Sequence, residues 1–71
     1  MPTHLEMVIL HMVQNSVNGV YYGTPRKYME KLGGSGGTLY NKLKELGFEQ
    51  IGKGNKAEWV IPQAILREFK K

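Results

Sequence analysis

The sequence predicts a small α+β fold, mainly α with a small β-hairpin, on three observations. Apolar residues recur at helical spacing in four stretches. Two β-prone runs flank the glycine-rich basic loop Gly52-Lys-Gly-Asn-Lys56, and GGSGG at Gly33–Gly37 falls between two of the helical stretches. The chain has 71 residues and no cysteine. Cut at Gly33–Gly37, it would leave about 35 residues on each side, too few to bury a core without a metal or a disulfide. GGSGG is therefore expected to be a hinge between packed helices, and residues 1–71 a single domain.

The first helix opens at Thr3-His-Leu-Glu6, a capping box in which hydroxyl and carboxylate satisfy early backbone donors reciprocally. Leu5, Val8, Ile9, Met12, Val13 and Ser16 follow as one buried stripe, and Asn18-Gly19 is expected to end the helix in a left-handed turn. Met7, Leu10 and Val17 lie off that stripe, so a second side of this helix must be covered by the C-terminal segment, by another subunit, or by both. Val20-Tyr21-Tyr22 is a short β-prone run. Thr24-Pro25 then supplies an N-cap and a proline at the first helical position, where its missing N–H costs nothing. Pro25, Tyr28, Met29 and Leu32 face inward along the second helix, leaving Arg26, Lys27, Glu30 and Lys31 outside.

Gly33 is expected to close that helix in the left-handed region, and Ser35 to cap a third helix over 36–46 with Leu39, Leu43 and Leu46 turned inward. Two helices joined by a short glycine-rich turn make a helix-turn-helix pattern. Gly36 and Gly37 each disfavour helix by roughly 1 kcal/mol against alanine. In a first turn the cost is smaller, and bare Cα atoms there leave backbone N–H groups open to a phosphate. Small residues also let two helices cross closely, and the two readings are compatible. Gly47 closes the third helix. Phe48–Ile51 and Ala57–Ile61 form the hairpin, with Ala57, Trp59 and Ile61 alternating inward. Pro62 opens a last amphipathic piece with Ile65, Leu66 and Phe69 on one side and Arg67, Glu68 and Lys70 elsewhere.

The net charge is +4, and its placement says more than its size. Met1 to Gly23 carries −1. Thr24 to Lys56 carries +4, from Arg26, Lys27, Lys31, Lys42, Lys44, Lys53 and Lys56 against Glu30, Glu45 and Glu49, and Ala57 to Lys71 carries +1. Concentrated positive charge suits a polyanion, although a solvated lysine-rich surface has the same composition.

The order helix, short strand, helix, turn, helix, hairpin, helix, with the segment Ser35-Gly-Gly-Thr-Leu-Tyr-Asn-Lys-Leu-Lys-Glu-Leu-Gly-Phe48, resembles the winged helix-turn-helix domain. That segment is similar to the recognition-helix stretch of PadR-like and MarR-like regulators. The resemblance implies that helix 36–46 enters the major groove of duplex DNA and that the 52–56 wing reaches an adjacent backbone or minor groove. Thr38 and Asn41 would meet base edges, and Lys42 and Lys44 phosphates. Ser35 with the Gly36 and Gly37 amides would hold a phosphate at the helix start, Arg26 and Lys27 would clamp the backbone, and Lys53, Asn55 and Lys56 would form the wing tip. Tyr40 either packs on the rim of the core, its expected place, or offers its hydroxyl to phosphate. Trp59 is expected to pin the hairpin onto the first and third helices.

Other signals are set aside. Gly52-Lys-Gly-Asn-Lys-Ala57 imitates a dinucleotide fingerprint, but a strand follows where that motif needs a helix. His4 and His11 are seven residues apart on a helix, over about 10 Å along its axis, too far to share a metal ion. With no aspartate and no cysteine, catalysis has little to build on, so neither an enzyme nor a cofactor is expected. The apolar run Met7–Val13 is far shorter than the ~20 residues of a membrane span, and no signal peptide is visible, so a cytoplasmic protein is expected, nucleoid-associated or in a host cell. A chain this short beginning at Met1 suggests a phage, archaeal virus or plasmid product. The expected function is double-stranded DNA binding as a small transcriptional regulator, with a homodimer through the first helix and the C-terminal segment. The alternatives are a protein-interaction module, for a polymerase or host factor, and a low-specificity nucleoid-type DNA binder.

Overall fold

The computed structural model describes residues 3–69. Lys70, expected on the polar side of the last helix, and Lys71 lie outside them. The first helix, α1 (His4–Gln14), starts as its sequence requires: the Glu6 N–H donates to Thr3 Oγ1 at 3.1 Å and the Thr3 N–H donates to Glu6 Oε1 at 2.9 Å. Val8, Ile9, Met12 and Val13 are its buried stripe.

The end of α1 corrects the expectation. The helix stops at Gln14, and Asn18-Gly19 is instead a tight two-residue turn. The Val17 N–H donates to the Val20 carbonyl at 2.8 Å and the Val20 N–H to the Val17 carbonyl at 3.0 Å, with φ of +55° and +79° at Asn18 and Gly19. Asn-Gly between two β-branched residues is a hairpin signal, because both central positions of the primed turn need positive φ. Val17 therefore lies outside the helix.

Strand β1 (Val20–Tyr22) follows, then α2 (Pro25–Lys31), α3 (Leu39–Glu45), β2 (Glu49–Ile51), a single 3₁₀ turn (Gly54–Lys56), β3 (Glu58–Val60) and α4 (Gln63–Phe69). The described residues thus form a small α+β protein with four helices and one antiparallel sheet in the order β1-β3-β2. Tyr21 and Gln50 both lie opposite Trp59, and this row faces the core. The next row, Tyr22–Glu58–Ile51, points to the other side.

Gly33 adopts φ +85° after α2, the Gly33 N–H donates to the Glu30 carbonyl, and the Gly34 N–H donates to the Met29 carbonyl, both at 3.0 Å. This pair of bonds closes a helix C-terminus through one left-handed residue. The same pattern recurs after α3, where the Gly47 and Phe48 amides reach the Lys44 and Leu43 carbonyls at 3.0 Å and Phe48 folds back into the core. Helix α3 is shorter than expected, covering 39–45 rather than 36–46.

One core draws from both sides of Gly33–Gly37: Val8, Met12 and Met29 precede it, and Leu39, Leu43, Phe48, Trp59 and Ile65 follow. The radius of gyration is 11.0 Å, against ~11 Å for a folded chain of this length. The five residues behave as a corner, not a tether. Trp59, fully buried, is the largest of the core side chains, and the Tyr40 ring lies 4.8 Å from it at 56°. Tyr40 thereby takes the core-rim place and ties α3 to the sheet.

Candidate nucleic-acid interface

Leu39 and Leu43 are buried while Leu46 stays partly exposed, and this orients α3. Asn41 lies opposite that buried pair. Its neighbours at three and four residues' distance are Thr38, Lys44 and Glu45, so these four share the solvent face. Lys42 flanks the buried face and is exposed. Glu45 was not among the residues singled out in the sequence. It puts a carboxylate one helical turn from Asn41, a signal visible as its i+4 position.

The start of α3 departs from the expectation in three ways. Thr38, not Ser35, is the N-cap, and its side chain makes no capping bond. The Ser35 hydroxyl instead accepts from the Gly37 N–H at 3.2 Å, so that amide is not open to a phosphate. A side chain on Gly36 would meet Arg26, whose Cγ lies 2.5 Å and Nε 2.6 Å from where a Cβ would stand. Bareness at Gly36 thus makes room for the Arg26 stem. The close-approach reading holds here, between the turn and α2.

Around the first turn of α2 the structure gathers several expected residues. Arg26 lies across Gly36 and pairs with Glu30 at 3.9 Å, an exposed i,i+4 pair worth little. The preceding residue, Thr24, does not cap α2 with its side chain; its hydroxyl donates to Asn55 Oδ1 in the 52–56 loop at 3.1 Å. Asn55 is therefore committed to holding the loop. Backbone reinforces the link, since the Gly23 N–H donates to the Ala57 carbonyl at 3.0 Å. Lys27, Lys53 and Lys56 are exposed, and Arg26–Glu30 is the one ion pair among the described residues. The 52–56 loop and the first turn of α2 are brought together. Among the described residues no hydrogen bond or ion pair joins either of them to the side chain of Asn41 or Lys44.

A second cluster was missed in the sequence. His11 of α1 stacks on Tyr28 of α2, ring centroids 3.9 Å apart and planes 7° from parallel, while Tyr21 of β1 meets it edge-on at 5.7 Å and 67°. The Asn15 side-chain nitrogen donates to the His11 carbonyl at 2.8 Å, which orients it, and lies 3.3 Å from His11 Nδ1. Nδ1 is then the acceptor, leaving the proton on Nε2, 3.4 Å from the Tyr21 hydroxyl. Desolvation, and secondarily the Lys31 ammonium, hold His11 below its usual range, and desolvation, with a lesser effect from Tyr40, raises Tyr21. Ring partners ten and seventeen residues from His11, in two other elements, leave no periodic signal in sequence.

Among the described residues, no group of three or more His, Cys, Asp or Glu side chains is placed to hold a metal ion, and no helix is long and apolar enough to cross a membrane. No protein-family model, curated protein or solved structure matches the chain.

Proposed function

We propose that this protein binds double-stranded DNA as a winged-helix regulator, with the exposed face of α3 in the major groove and the 52–56 loop on the backbone or in the minor groove. The observation that carries the reading is the Thr24–Asn55 bond. It docks a loop bearing Lys53 and Lys56 onto the helix start bearing Arg26 and Lys27. Four exposed cations then share one corner, and a single carboxylate pairs with them among the described residues. Such a concentration of charge has more effect on a polyanion than isolated lysines do. Asn41 on α3 and Thr38 at its N-cap supply the donor and acceptor groups that base edges recognise.

The test is binding to duplex DNA across a salt series. Affinity should fall by ~0.9 log units per log unit of salt for each phosphate neutralised, so four contacts give a slope of about −3.6. A flat salt dependence, or no retention on DNA-cellulose at low salt, rejects the reading. A footprint on selected against random duplex separates a regulator from a nucleoid-type binder.

A second reading, a surface for another protein, draws on the sheet's outer face. There Tyr22 and Ile51, 57% and 50% exposed, flank Glu58 in one cross-strand row. Exposed apolar side chains in register are more typical of interfaces than of solvated strands. Homodimerisation through α1 and α4 is a separate proposal. It rests on a groove lined by Leu10, Val13, Leu66 and Phe69, with Arg67 and Glu68 beside it. Sedimentation equilibrium that returns a monomer at high concentration, with and without duplex, removes this proposal.

A further inference from the structure

A pocket of about 250 Å³ opens between α1, β1 and α2, lined by His11, Tyr21, Thr24, Lys27, Tyr28 and Lys31. Its chemistry is one-sided. Lys27 and Lys31, one helical turn apart, bring two ammonium groups to the same face of α2. No carboxylate lines the pocket, and neither lysine has one within ion-pairing distance among the described residues. Tyrosine hydroxyls and the His11 ring supply neutral hydrogen-bonding groups, while the Thr24 hydroxyl is spent on Asn55. Such a site lacks only an anion. At 250 Å³ it is smaller than the ~300 Å³ at which drug-sized ligands begin to fit, and a single tetrahedral oxyanion fits within it.

We infer that this pocket is a phosphate subsite, in which Lys27 and Lys31 hold a single phosphoryl group against the His11–Tyr28 stack. Charge-assisted bonds from two ammonium groups are the strong kind, and the hydroxyl of Tyr21 adds a neutral donor. The groups facing His11 are Tyr21 from β1 and Tyr28, Lys27 and Lys31 from α2. No acid is among them. A bound anion opposes the field that Lys31 now exerts on the ring, and coupling between His11 protonation and occupancy follows. The phosphoryl group has two possible sources, a free phosphate monoester or a backbone phosphodiester of duplex DNA. The subsite does not depend on the duplex reading, since inorganic phosphate alone tests it.

The experiment follows the His11 ring resonances and the 27–31 backbone amides of the full chain by NMR during pH titrations. Chloride is compared with inorganic phosphate at equal ionic strength, and then with a blunt duplex lacking terminal phosphates. Phosphate is expected to move the His11 midpoint upward and to shift the 27–31 amides saturably. The response should vanish in the Lys27→Gln/Lys31→Gln double variant. Both substituted lysines are exposed, so an otherwise superimposable amide spectrum verifies the fold. A response to inorganic phosphate alone identifies a monoester site and counts against the pocket as a duplex contact. A response to duplex alone identifies a phosphodiester site. If neither ligand moves His11 and the 27–31 amides, or if the double variant responds like the parent, the subsite is rejected, whatever the outcome for duplex binding elsewhere on the surface.

Discussion

The Thr24 hydroxyl donates to Asn55 Oδ1 over 3.1 Å, joining residues 31 apart in sequence. It anchors the 52–56 loop at a point where no strand pairing reaches, because the β2–β3 register ends at Ile51–Glu58. Thr24→Val keeps the side-chain shape and deletes the donor. The bond is exposed, so stability should fall by no more than about 0.5–1.5 kcal/mol. The loop should feel the change more. Amides 52–57 should gain mobility in ¹⁵N relaxation, and duplex affinity should drop several-fold, because ordering the loop becomes part of the cost of binding. An unchanged loop with weakened binding would show that Thr24 acts on the ligand directly.

On α3, three substitutions separate three roles. Lys42→Ala should weaken all duplexes about evenly and lower the salt slope by about one. Asn41→Ala should cost about 1–3 kcal/mol on the preferred sequence and relax selectivity at one base pair. Glu45→Gln removes the carboxylate one turn from Asn41 and should tighten binding to every duplex, most at low salt where screening is weakest. Fluorescence anisotropy with selected and scrambled duplexes reads all three. Identical behaviour of Asn41→Ala and Lys42→Ala across sequences would remove Asn41 from base recognition.

The His11 stack makes folding sensitive to pH with a definite sign. Desolvation by α2 and β1, with Lys31 adding to it, lowers the folded-state value, so between it and the unfolded value near 6.5 the unfolded chain binds more protons. Stability contributed by neutral His11 is complete above pH 6.5 and is lost as pH falls through the folded value. Protonation also places a second donor on Nδ1 against the Asn15 amide, which ends that 3.3 Å contact. Thermal unfolding midpoints should therefore decline on acidification below pH 6.5, and His11→Phe, which keeps a ring between the tyrosines, should flatten this part of the profile. A decline of equal steepness in His11→Phe would assign the acid sensitivity to other groups.

Much of the fold was legible because its signals are local. A capping box, a proline at a helix start, two helix-ending glycines and the alternation Ala57-Glu-Trp-Val-Ile61 each depend on residues within one turn or one strand. Asn18-Gly19 was misread through competition between two local rules, helix termination and the hairpin turn, which only the pairing of Val17 with Val20 decides. Ser35 failed as a cap for a similar reason, since its hydroxyl serves the Gly37 amide two residues on. The site was less legible. Thr24–Asn55, Arg26 across Gly36 and the His11–Tyr28 stack are all tertiary contacts without periodicity. Composition could place positive charge in the middle of the chain but not show that part of it collects around the first turn of α2.

The three glycines Gly33, Gly34 and Gly36 should respond to alanine for three different reasons. Gly33 has φ +85° and open space where a Cβ would stand, so Gly33→Ala meets only backbone strain of about 1–2 kcal/mol, and Gly33→Asn should cost less. Gly34 has no such φ, but a Cβ there would lie 2.5 Å from Met29 Sδ and 2.9 Å from His4 Nδ1. Met29 is buried, so relief requires the core to shift, and overpacking of this kind costs typically 1–3 kcal/mol. At Gly36 the clash is with Arg26, an exposed chain that can swing away, so Gly36→Ala should leave stability within about 1 kcal/mol while breaking Arg26–Glu30 and weakening duplex binding. Urea unfolding of the three variants, with anisotropy on the same samples, distinguishes these causes. Gly34→Ala as mild as Gly36→Ala would mean that the Gly33–Gly37 corner is not packed against Met29. Gly36→Ala with full duplex affinity would take Arg26 out of the interface.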